Sequence, residues 1–88
     1  MIRTSDIKIG QIVQSKAGRD KDDFFAVLEI VDQEYVLLVN GRRRNLANPK
    51  KKKMKHLMVT KKCINLVPKS KMLNDSYIRR ALAKEIEK

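Results

Sequence analysis

Apolar positions in the first two-thirds of the chain recur at every second residue, the period of a β-strand whose side chains alternate between two faces. Ile7 and Ile9 alternate before Gly10 breaks the run, and Ile12-Val13 opens a strand ending near Lys16. A polar loop from Ala17 to Asp22 follows. The run from Phe24 to Val31 then puts Phe24, Ala26, Leu28 and Ile30 on one face and Phe25, Val27 and Glu29 on the other. The first set is expected to be buried. Asp32 to Glu34 predicts a tight turn, Tyr35 to Val39 a third strand, and Asn40-Gly41 is a strong turn dipeptide. Pro49 argues against regular pairing, so Asn40 to Lys53 is expected as strand edge and loop. His56 to Thr60 reads as a further strand and Cys63 to Val67 as a short last one. The period then changes. Ile78, Leu82 and Ile86 recur every four residues with Tyr77 and Ala81 beside them, a single helical stripe. Asn74, Asp75 and Ser76 are all candidate caps, and Arg79, Arg80 and Lys84 fall on the outward side. The pattern predicts a mainly β fold: a small antiparallel barrel of about five strands over residues 1–70, with a basic loop at 42–55, and a C-terminal helix over 71–88 packed on or beside it.

Charge changes this picture because of where it falls. The 88 residues carry a net charge of +11. Residues Met1 to Glu34 hold more acids than bases, whereas Tyr35 to Asn74 holds 12 basic residues and no acid. Such an excess on a small body repels itself unless an anion neutralises it, and nucleic acid is the expected partner. Arg42-Arg43-Arg44 and Lys50-Lys51-Lys52-Lys53 flank Asn45 to Pro49, with Lys55, His56, Lys61 and Lys62 close by. Lysine and arginine neutralise phosphates and release counterions, and arginine grips phosphate with two parallel hydrogen bonds. No element resembles a recognition helix for duplex DNA. The four aromatics Phe24, Phe25, Tyr35 and Tyr77 all fit core positions, with Phe25 the exception, so stacking on single strands is disfavoured. Folded RNA, gripped by shape and phosphates, fits best.

Catalytic chemistry finds no support. His56 and Cys63 are the sole residues of their types and have no spacing of base and nucleophile. Cys63, in an apolar run, is expected to be a small buried hydrophobe. Asp20, Asp22 and Asp23 are interleaved with Arg19 and Lys21, which predicts a solvated turn rather than a metal loop. No cofactor, metal or small-molecule substrate is expected. One cysteine excludes an internal disulfide, and no apolar run is long enough for a signal peptide or a membrane span. A cytoplasmic protein, monomeric when free, is expected.

The stretch from Gly10 to Val39 resembles the KOW motif: a strand, a loop with a central glycine, here Gly18, and a second strand. The segment from Val39 to Thr60 is similar to the one that follows it in a KOW-class large-subunit ribosomal protein of archaea and eukaryotes, and SYIRRALAKEIEK is similar to that protein's basic helix. The resemblance implies an SH3-like barrel that docks on ribosomal RNA, beside neighbouring ribosomal proteins. It would use Lys16, Gly18 and Arg19 of the loop and Arg43 and Arg44 of the connection after the third strand. Asp20, Asp22 and Asp23 depart from the basic or glycine-rich loop of many KOW domains, which shifts the expected RNA contact towards Arg42 to Lys55. KOW domains also serve as interaction modules in the transcription machinery, which is the alternative reading.

Overall fold

The computed structural model describes residues 7–66 and 74–86. Among these residues lie one five-stranded antiparallel sheet and one α-helix. The strands are β1 (Gln11–Ser15), β2 (Phe24–Ile30), β3 (Tyr35–Val39), β4 (Lys50–Lys53) and β5 (Leu57–Cys63). A 3-10 turn, Met54–His56, joins the last two, and α1 spans Asp75–Ile86. The expected boundary at residue 70/71 and the tail of the last expected strand at Val67 lie outside the described residues.

The strand order is β4-β3-β2-β1-β5. The outer strands β4 and β5 form no ladder with each other, so the sheet is open and the expected barrel is corrected to a curled sheet. One physical reason is the short β4, four lysines long, whose charged outer edge resists further pairing. Curling is nonetheless required. Val13, Phe25, Val27, Val36, Leu38, Met54 and Leu57 form one buried cluster on a single face. Among the described residues no helix covers that face, so the sheet itself wraps it.

The opposite face buries a second cluster against the helix. Ile12, Ala26 and Val39 from the central strands meet Ile64, Leu66, Ile78 and Leu82. The helix thus belongs to the core. Asn74 Oδ1 accepts from the Tyr77 amide at 2.8 Å, which identifies Asn74 among the three candidate caps.

Several expectations for β2 and its neighbours are corrected. Phe25, expected to be the exposed aromatic, is 1% exposed, while Ile30 is 37% exposed and Phe24 and Leu28 are half-buried. Phe25 is buried because both faces of β2 are packed, and a bulge further along the strand accounts for Ile30. Val27 pairs with Leu38 but Glu29 pairs with Leu37, so Leu28 is an extra residue and Ile30 changes face. Lys50–Lys53, expected as loop, forms β4 and pairs with Leu38 to Tyr35. Its position at the sheet edge tolerates lysine. Cys63 is exposed rather than buried, because β5 ends there at the edge, past an irregularity opposite Gln11 and Val13.

Candidate nucleic-acid interface

Two loops build the basic surface. The first, between β1 and β2, turns through Gly18 at φ 86° and Asp22 at φ 75°. The positive φ at Gly18, which only glycine adopts freely, agrees with its place in the strand–loop–strand pattern. The second loop follows β3. Asn40 Oδ1 accepts from the amides of Arg42 and Arg44 at 2.9 and 3.2 Å, while Gly41 takes φ 76°. The helix holds this loop from behind: Arg79 Nη1 donates to the Gly41 carbonyl at 3.0 Å, and Asp75 Oδ1 accepts from the Leu46 amide at 2.7 Å.

Between the loops lies a cleft of about 220 Å³. Arg19 from the first loop, Arg43 and Arg44 from the second and Lys50 from β4 line it, together with Asp20 and Asp23. The two segments that sequence reasoning weighed against each other therefore meet at one place. Arg19 and Arg43 are exposed and Arg44 is half-buried. None of the three guanidinium groups has a hydrogen bond or ion pair among the described residues. Their donors are free for a ligand.

The lysines of β4 behave differently. Lys52 is 9% exposed. Its ammonium donates to Ser15 Oγ and the Ala17 carbonyl at 2.8 Å each and to Asp20 Oδ1 at 2.7 Å. All three donors are used internally, which corrects Lys52 from a phosphate-facing residue to a structural one. Lys50 lies 3.0 Å from Asp20 Oδ2 as an ion pair, although that oxygen receives no hydrogen bond of good geometry. Burial alone would raise the Asp20 carboxyl. Hydrogen bonds from Lys52 and Ser15, with the ion pair to Lys50, outweigh it and hold the group far below the ordinary carboxylate range. Asp20 is thus not part of a merely solvated turn. It ties the Gly18 loop to β4.

The remaining sequence-expected residues do not line the cleft. Lys51 and Lys53 point to the opposite face of β4, where their ammoniums sit 4.9 and 5.8 Å from the Tyr35 ring centroid, and Lys53 also lies 3.6 Å from Glu34. Lys16 and Lys55 are exposed and His56 is half-buried on the 3-10 turn. Lys61 and Lys62 are exposed on β5, where Lys62 donates to the Glu85 carbonyl at 2.6 Å. Asn45 is half-buried, and its Oδ1 is buried without a hydrogen-bond partner. Arg42 is exposed and faces a neighbouring cavity.

Sequence reasoning missed Asp23 and Asn40 as wall residues of the cleft. Asn40 carried a signal, its turn dipeptide, but that signal speaks of backbone shape and not of what the turn encloses. Among the described residues, no group of three or more histidine, cysteine, aspartate or glutamate side chains is arranged to hold a metal, and no helix is long and apolar enough to cross a membrane. No family model and no curated protein matches the chain.

Proposed function

We propose that this chain is a KOW-type RNA-binding domain of the translation apparatus that docks on ribosomal RNA, with the large subunit the favoured site. The observation that carries the reading is the convergence of Arg19, Arg43 and Arg44, none with a hydrogen bond or ion pair among the described residues, on one cleft between two loops. Unpaired guanidinium groups on a self-repelling basic body are what a phosphate backbone neutralises. The strand, positive-φ glycine loop and strand over residues 11–30 support the resemblance to the KOW motif. The acid-free run supplies the surrounding field that draws RNA to the cleft. The chemistry asked of the protein is positioning and charge neutralisation.

Sedimentation of a lysate on a sucrose gradient, with and without ribonuclease, tests the reading. The chain is expected to travel with ribosomal particles and to leave them when RNA is digested. A chain that stays with a protein complex after digestion would replace this reading with that of an interaction module.

A further inference from the structure

The arginine cleft shares two wall residues, Asp23 and Asn40, with a second cavity of about 340 Å³ between α1 and the start of β2. Its lining combines apolar side chains, Phe24, Leu82 and Ile86, with polar ones, Asp22, Asp23, Asn40, Arg42 and Arg79. The carboxylates are unexpected on a surface that receives phosphates, because they repel them. They are also not consumed: among the described residues neither Asp22 nor Asp23 has a side-chain hydrogen bond or an ion pair, although Arg42 and Arg79 line the same cavity. Asn40 Oδ1 already accepts from two backbone amides, which leaves its Nδ2 as a donor.

We propose that this cavity receives a single unpaired nucleobase whose adjoining phosphate lies in the arginine cleft. The inference rests on the RNA-binding reading. A base has an apolar face and an edge of donors and acceptors, and the cavity offers the complement of both. Unstacked bases are the parts of folded RNA that proteins read through hydrogen bonds on their edges. Asp23 and Asn40 are common to the two: Arg19, Arg43 and Arg44 offer the phosphate contact in the cleft, and Asp22, Phe24, Leu82 and Ile86 offer the base contact in the cavity. Carboxylates accept from exocyclic amino groups, as aspartate and glutamate accept from cytosine N4. Guanine, adenine and cytosine carry such a group and uracil does not, so the cavity discriminates against uracil.

Fluorescence anisotropy with five RNA hairpins tests this at one salt concentration: one fully paired, and four with a single bulged guanine, adenine, cytosine or uracil. The amino-bearing bulges are expected to bind at least about fivefold more tightly than the paired hairpin, the size of a modest base–protein contact, with uracil close to the paired form. Ala83 also lines the cavity, and Ala83→Met fills it with a good helix former. That variant is expected to bind bulged and paired hairpins alike while circular dichroism stays native. Asp23→Asn is expected to narrow the gap between uracil and the other bases. Equal binding of all five hairpins by the unmodified chain, or a bulge preference that survives Ala83→Met, overturns the base pocket and leaves RNA binding standing. Failure to bind any hairpin or ribosomal RNA overturns the RNA reading itself.

Discussion

A lysine with 9% exposure needs its three N–H donors filled, and Lys52 fills them with Ser15, Ala17 and Asp20. Removing one member of such a pair leaves a charge stranded at low dielectric, at a cost of about 3–5 kcal/mol. Asp20→Ala is expected to lose about that much in urea unfolding, and the double variant Asp20→Leu, Lys52→Met to recover most of it, since apolar replacement of both partners is often neutral. The pH dependence has a definite sign. The folded carboxyl is depressed below its ordinary value of 3.8, so below that value the unfolded chain takes up protons first. The stabilisation is complete above about pH 5 and is lost as pH falls towards the folded value. The stability gap between the unmodified chain and Asp20→Ala should therefore be level from about pH 5 to 7 and close progressively below about pH 4. The glycines divide in the same residue-level way. Gly18 and Gly41 both have positive φ, but a Cβ at Gly18 meets only side-chain ends at 3.6 Å, whereas one at Gly41 collides with the Asp75 carbonyl and sits 2.8 Å from the Arg79 amide. Thermal melts should show Gly41→Ala as clearly the more damaging of the two.

At the scale of elements, β2 carries both cores: Phe25 and Val27 face the curled side of the sheet, and Ala26 faces the helix. Phe25→Ala is expected to cost about 3–5 kcal/mol, as for a large buried aromatic, and Leu28→Ala, on a half-buried bulge residue, distinctly less. A melting temperature for Leu28→Ala at or below that of Phe25→Ala would contradict this division. The element itself was plain in the sequence, because FFAVLEIV alternates cleanly. Its buried face was not. Alternation identifies two faces but cannot say that both are covered, nor that an extra residue at Leu28 exchanges them before Ile30. The helix was legible through the spacing of Ile78, Leu82 and Ile86, since a 3.6 period announces itself without knowledge of its partner. Strand β4 was hidden for the opposite reason. Four consecutive lysines carry no apolar period, and what fixes them is remote: hydrogen bonding to β3 and the reach of Lys52 to a loop more than thirty residues earlier. The candidate site was legible as a composition, an acid-free run rich in lysine and arginine. That Arg19 would join Arg43 and Arg44 while Lys51 and Lys53 would turn to Tyr35 depends on strand order and on the helix pinning Gly41, neither of which local sequence expresses.

For the whole molecule, charge and shape point the same way. The excess of +11 lies in the middle of the chain, and folding presents its unpaired arginines at one cleft while enclosing Lys52 and pairing Lys50 and Lys53 with acids. Affinity for RNA should therefore depend on a few arginines more than on the lysine tract. Each phosphate neutralised contributes about 0.7 to 0.9 to the steepness with which log K falls against log salt. The most direct test is a salt titration of binding to ribosomal RNA fragments, comparing the unmodified chain with the triple variant Arg19→Ala, Arg43→Ala, Arg44→Ala. If each arginine meets one phosphate, the variant should bind more weakly at every salt concentration, with a slope shallower by roughly two to three units and a native circular dichroism spectrum. A natively folded variant with unchanged affinity and slope would contradict the account.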